Sequence, residues 1–237
     1  MLFKSLFALQ FLTINLITAS LIKPTECEDK QNPSSDGLTK PPQTSQDEAI
    51  CYKGNQFPPV EKWLSFDKLW AINSLVMLRF DSQSELDAIW KYIGDAAAAA
   101  GIDKKILLTI MMQESNGNVR TVSGDGVTPG LMQALGSASC VDSVFGECPI
   151  STIKDMIFAG ALGTGQTQGL ASCFAMHHWQ YGPMLRCYNS GSVIDPLNLD
   201  NVKFGTPSYV SDIANRLRGF EPRRDCGFEK GIPSPGH

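Results

Sequence analysis

The sequence predicts a mainly α, disulfide-braced domain with glycine-rich loops, and three observations predict it. Apolar residues recur at spacings of three and four along the second and third quarters of the chain. Clear period-two strands are absent, and six of the seven cysteines fall in the part that reads as folded. With 237 residues, the chain suits one domain plus extras. Its 43% hydrophobic content excludes a disordered protein, and a net charge of -4 excludes a basic protein that wraps phosphates by bulk charge. None of the cysteines forms a C-x-x-C pair, which speaks against a zinc ribbon or a thioredoxin-like site.

Residues 1–20 carry Lys4 and then an apolar stretch leading to Thr18, Ala19 and Ser20, the layout of a secretory signal peptide. The competing interpretation is a membrane anchor, because the uncharged run 5–22 has 18 residues. Gln10, Asn15 and two threonines weaken that run as a span, so no stable membrane insertion is expected. Residues 21–50 are rich in Pro, Ser, Thr, Gln and charge and read as a disordered linker. The folded domain is expected over 51–226, with a C-terminal tail at 227–237. Of the pairings that six cysteines allow, we expect Cys140 with Cys148 across a short loop, Cys173 with Cys187 between neighbouring helices, and Cys51 with Cys226 joining the two ends. Cys27, in the linker, is the odd thiol.

The helices follow in order. Ser82 and Glu85 form a capping box, and Leu86, Ile89, Trp90 and Ile93 recur at helical spacing into the alanine run that Gly101 stops. A second helix starts at Asp103 and ends at Ser115, Asn116 and Gly117. Further helices are expected over 152–162, capped by Asp155, over 170–178, from Pro183 to Gly191, and over 207–217, where Asp212 and Arg216 form an i,i+4 pair. Between them lie the glycine-rich loops 123–130 and 163–169.

One residue asks for an explanation. On the second helix Leu107, Ile110 and Met111 precede Glu114 by seven, four and three positions, so its carboxylate shares their apolar face. It also sits in the last turn, where the helix dipole disfavours an anion. Burial there raises a carboxyl pKa, and a carboxyl kept protonated near neutral pH suits a general acid. The alternative is that Glu114 turns to solvent as the helix frays. The tandem His177-His178 has no His or Cys partner at ligand spacing, so no metal site is expected, and no cofactor is implied.

Four blocks then follow in order: Glu114-Ser115, Gly130-Leu131-Met132-Gln133 sixteen residues on, Tyr188-Asn189-Ser190-Gly191, and Thr206-x-x-Tyr209-Val210. Together, over about residues 84–220, they resemble the lysozyme-like superfamily that contains the soluble lytic transglycosylases and goose-type lysozymes. The resemblance implies a compact helical domain whose glycine-rich loops line a glycan groove. It implies cleavage of the β-1,4 bond between N-acetylmuramic acid and N-acetylglucosamine in peptidoglycan, with Glu114 as general acid and base. In that picture Ser115 hydrogen-bonds at the site, and Gly130, Leu131, Met132 and Gln133 make one wall. Tyr188 and Asn189 make the other, and Tyr209 orients Glu114 or steadies developing positive charge. Taken singly, Leu131 and Met132 are ordinary core residues, Gly191 an ordinary helix C-cap, and Tyr209 a packing residue spaced with Ile213 and Leu217.

Hydrolysis with inversion needs a second carboxylate about 6.5–9.5 Å from the acid, whereas an anhydro-forming transglycosylase needs the one glutamate. Asp125, in Gly124-Asp125-Gly126, precedes the GLMQ block much as a Gly-Asp pair does in goose-type lysozymes, with a gap one residue shorter; it equally suits a turn. Ala134-Leu135 stand where those enzymes carry another aspartate. The expectation leans to a secreted, monomeric, transglycosylase-like muramidase. Its partner would be peptidoglycan or a related N-acetylated glycan, not nucleic acid. Because the net charge is negative, long-range attraction to an anionic wall is lacking. Chitin therefore stays open as a substrate, as does a non-catalytic glycan-binding module.

Overall fold

A computed structural model of the protein describes residues 48–124 and 126–228. The expected signal peptide, the linker up to residue 47 with Cys27, Asp125, and the tail from residue 229 onward lie outside the described residues. Among the described residues there are seven α-helices and no β-strand, as the periodicity predicts. They are α1 (Phe66–Met77), α2 (Gln83–Ala100), α3 (Lys104–Ser115), α4 (Ile150–Leu162), α5 (Leu170–Met176), α6 (Tyr181–Ser190) and α7 (Tyr209–Leu217). No helix among these residues is long and apolar enough to cross a membrane.

The architecture is built around α3. Every residue from Ile106 to Met112 is buried, so this helix is apolar all round rather than on one face. It is enclosed by α1, α2 and α7. The one buried hydroxyl in that run, Thr109, donates back to the carbonyls of Lys105 and Ile106, both at 3.0 Å, so it costs little. Asp103 caps the N-terminus by accepting from Lys105 N at 2.8 Å. Asn116 ends the helix in the left-handed conformation, with φ 54°. Glu114 therefore lies at the exit of a central helix, partly buried beside its apolar residues.

α2 packs chiefly on α4, and α5 pairs with α6. The expected capping box is present in α2: Ser82 Oγ accepts from Glu85 N, and Ser82 N donates to Glu85 Oε2. Gly101 stops the helix at φ 67°. Trp90, counted in its apolar stripe, is instead half exposed. Helix α1 was not expected from the pattern, although Ser65 caps it and Phe66, Leu69, Asn73 and Met77 are buried at helical spacing. α4 starts two residues earlier than predicted, after Pro149, and no side chain caps it; Asp155 does not. α6 likewise opens at Tyr181 rather than at Pro183, α5 stops at Met176, and α7 begins at Tyr209 rather than at residue 207. The predicted Asp212–Arg216 pair is replaced by a relay through Gln113. Its Nε2 donates to Asp212 Oδ2 at 3.4 Å, and its Oε1 accepts from Arg216 Nε at 2.9 Å.

Three covalent links and one ionic corner brace these helices. Cys51–Cys226, Cys140–Cys148 and Cys173–Cys187 are the bonded pairs, the pairing expected above. Ile50, assigned to the linker, pairs its backbone with Asn215 of α7 in both directions, each bond 2.8 Å. At the α1–α2 corner Arg120 bridges two buried carboxylates, lying 3.3 Å from Asp81 Oδ1 and in hydrogen-bond contact with Glu85 Oε1. It also donates to the carbonyls of Ser143 and Val144. The loop after α3 and the disulfide loop 140–148 are thereby held against the start of α2.

Candidate active site

Glu114 lines a pocket of about 80 Å³ together with Gln133, Ala134, Thr167, Tyr188 and Asn189. A second pocket, of about 360 Å³, shares Gln133, Thr167, Tyr188 and Asn189 with it and adds Thr128, Leu135, Gln166, Gln168, Ser190 and Phe204 among its walls. Burial pushes the Glu114 carboxyl up to about 7, although a hydrogen bond from Tyr209 pulls the other way. That bond runs from Tyr209 Oη to Glu114 Oε1 and joins α7 to the end of α3. Burial first, and Glu114 second, drive both the Tyr209 and the Tyr188 phenol well above the ordinary tyrosine range. Both rings thus stay neutral hydrogen-bond donors beside a carboxyl whose pKa is held well above the usual carboxylate range.

The loop 130–133 reaches the pocket because its backbone is held from three sides. Gly130 has φ 87° and donates to Thr121 O at 2.9 Å, and a Cβ there would meet Met156 Sδ at 2.5 Å, so only glycine fits. Leu131 and Met132 are buried core residues; they anchor the wall through backbone carbonyls rather than presenting side chains to the pocket. Leu131 O accepts from Ser115 Oγ at 2.8 Å, and Met132 O accepts from Tyr188 Oη at 2.7 Å. Ser115 is accordingly a tie: its hydroxyl also donates to Met111 O and accepts from Gly117 N, and it is buried. Gln133 stands in the left-handed region at φ 46° and donates from Nε2 to Gly130 O at 2.9 Å. Of the four residues in this block, Gln133 is the one whose side chain faces the ligand space.

The opposite wall is held by a residue that sequence reasoning missed. Arg186 of α6 is fully buried, and among the described residues no carboxylate lies within ion-pair distance of it. Its guanidinium donates instead to five neutral oxygens: Leu199 O, Asn189 Oδ1, Ser190 Oγ, Thr206 O and Pro207 O, at 2.6 to 3.0 Å. Burial lowers its pKa to about 10, which leaves it charged. Asn189 Oδ1 also accepts from Thr206 N at 2.8 Å. With its oxygen so occupied, Asn189 is fixed in place as a lining residue of both pockets. The same fork fixes residues 206–207, from which α7 brings Tyr209 to Glu114. Nothing in the sequence singles out this arginine, two positions before Tyr188; only the fold shows it as a strut.

The blocks predicted from sequence are thus brought together around Glu114, with Gln133, Tyr188, Asn189 and Tyr209 at the site and Ser115, Leu131 and Met132 behind it. Asp125 is outside the described residues; its neighbours Ser123 and Gly126 close a turn, with Gly126 N donating to Ser123 O at 3.3 Å. His177 and His178 lie on the α5–α6 turn; burial and His178 lower the His177 pKa. Gln166, Thr167 and Gln168 of the glycine-rich loop 163–169 line these pockets, although none of the three was singled out from the sequence as a site residue.

Residues 91–194 match the family model of the transglycosylase SLT domain. The match includes Glu114, the 130–133 loop and Tyr188-Asn189, and it stops before Tyr209. No curated protein and no solved structure matches the chain significantly. The helical bundle and the residues gathered at the exit of α3 agree with the match of residues 91–194 to the transglycosylase SLT domain, a lysozyme-like superfamily domain.

Proposed function

We propose that the protein is a secreted muramidase that cleaves the β-1,4 bond between N-acetylmuramic acid and N-acetylglucosamine, with Glu114 as general acid and then base. The observation that carries this reading is a carboxyl held at about 7 by burial while it lines an open pocket. In the first step the Glu114 proton goes to the glycosidic oxygen as the C1–O bond breaks, leaving an oxocarbenium-like sugar and a glutamate anion. In the second, the muramyl 6-hydroxyl attacks C1 and gives its proton to Glu114, which regenerates the acid and closes a 1,6-anhydro ring without water. Tyr209 is suited to hold the carboxyl in place through both steps, because its hydrogen bond strengthens when Glu114 is anionic. The route needs one carboxyl group, and among the described residues Glu114 is the acid that lines either pocket. Secretion rests on the layout of residues 1–20, and three disulfides suit an oxidising compartment.

Digestion of purified peptidoglycan followed by mass spectrometry tests the reading. Anhydro muropeptides, lighter than hydrolytic products by one water, are expected. Reducing ends would convert the mechanism to hydrolysis, and an absence of any product, with a folded protein, would remove the enzymatic claim.

A further inference from the structure

Loop 163–169 is one of the glycine-rich loops expected beside a glycan groove, and the fold builds it into a braced hairpin next to Glu114. Gly163 and Gln168 form an antiparallel bridge, and Thr164 N donates to Thr167 O at 3.0 Å. The Thr164 hydroxyl accepts from the backbone of Gln166 and Thr167, at 3.0 and 3.2 Å, and donates to Leu135 O at 2.7 Å. That last bond ties the hairpin to the residue two after Gln133. At its base Gly163 and Gly169 lie so close that a Cβ on Gly163 would sit 2.6 Å from Gly169 N. Immediately beyond, Cys173 of α5 is bonded to Cys187 of α6, the neighbour of Tyr188. The Gln166 side chain lies over Gly136, where a Cβ would approach its Nε2 to 2.6 Å.

Among the described residues the hydrogen bonds of Thr167 run from its backbone, and the residue lines the pocket beside Glu114. Gln166 and Gln168 line the adjoining pocket with Thr128, Gln133 and Asn189. The polar groups gathered there are amides and hydroxyls, the complement of the acetamido and hydroxyl groups of an N-acetylated hexosamine. Their frame is fixed before any ligand arrives, which lowers the ordering cost of binding.

We propose that hairpin 163–169 is a third wall of the sugar site, in which Thr167 and Gln166 bind the acetamido and hydroxyl groups of an N-acetylated hexosamine in the glycan chain. This rests on the glycosidase reading of Glu114, and binding separates the two. The probe is chitotetraose, measured by calorimetry against Glu114→Gln, in which turnover is blocked. Adding Thr167→Val and Gln166→Ala to that variant should weaken chitotetraose binding about tenfold, since two polar contacts are lost. Thermal unfolding should be unchanged, because neither side chain holds the hairpin. An affinity within twofold of Glu114→Gln alone overturns the proposal and leaves the glycosidase reading intact. Failure of Glu114→Gln to bind chitotetraose at all also overturns it, whereas loss of wild-type turnover on peptidoglycan speaks only against the glycosidase reading. As a second variant, Thr164→Val removes the tie to Leu135; it should weaken binding with Thr167 and Gln166 both present, and unchanged binding counts against a preformed wall.

Discussion

Two carboxyl groups in this molecule are pushed by burial to the same pKa, about 7, in opposite surroundings. Asp81 sits at the α1–α2 corner, fully enclosed, with Arg120 beside it, Val119 N donating to its Oδ1 at 3.3 Å, and its Oδ2 without a partner. Glu114 sits at the exit of α3 with a phenol as its partner and a pocket in front of it. Burial pushes the neighbouring Glu85 upward too, but hydrogen bonds from Arg120, Ser82 N and Cys148 N outweigh it and hold Glu85 below the usual range. A displaced pKa therefore does not by itself mark a reactive group. What separates the two sites is access and, among the described residues, the absence of a neutralising cation beside Glu114, so that its proton has somewhere to go.

The contrast is sharpest in rate. Glu114→Gln should lower muropeptide release by two to four orders of magnitude, the usual worth of a positioned general acid, whereas Asp81→Asn should leave the rate of the folded enzyme in place. Equal losses in both variants would break the distinction. In stability the order reverses. Arg120→Met leaves two buried carboxylates without their cation and should cost about 3–5 kcal/mol in urea denaturation, with kcat of the folded fraction retained.

A third test uses what the two groups share. Glu114 has a folded-state pKa near 7 against 4.5 for an unperturbed glutamate, so the folded state holds its proton longer than the unfolded state. It therefore costs stability progressively as pH rises from about 4.5 to 7, and the cost is constant above that. Glu114→Gln should match the wild type at pH 4 and exceed it by about 3 kcal/mol at pH 8, as read from unfolding midpoints at the two pH values. Asp81→Asn should gain over the same direction of pH, while activity falls above pH 7 only through Glu114. The smallest effect concerns Tyr209, whose hydrogen bond lowers the Glu114 pKa. Tyr209→Phe should reduce the rate about tenfold and move the alkaline limb of the pH profile upward; a downward shift would mean that Tyr209 does not donate to this carboxyl.

Local chemistry made most helices legible in the sequence: Ser82 with Glu85, Asp103, Gly101 and Gly191 each occupy the cap that their residue type favours. α1 escaped because its buried set includes Asn73, whose amide is satisfied within the helix by Leu69 O at 2.8 Å, and because Ile72 and Leu75 on its outer side are exposed. The candidate acid and the residues facing it were legible as ordered motifs. Their support was not. Ser115 looks like a ligand contact and is a tie between α3 and the 130–133 loop; Arg186 carries no signal in the sequence and is a buried strut. Both roles depend on contacts made far along the chain, such as Ser115 to Leu131 and Arg186 to Thr206, which periodicity does not carry.

The bond between Cys51 and Cys226 closes a ring of chain across a separation of 175 residues, and the other two disulfides lie inside it. Val122, Phe145 and Leu197 stand exposed on loops within that ring, the natural points for a protease to cut. A single cut at any of them opens the ring without releasing a fragment, and the severed chain migrates at full mass until it is reduced. Glu114 comes from before such cuts, and Tyr188 or Tyr209 from after them, so the ring keeps both halves of the site in one molecule after the backbone between them is broken.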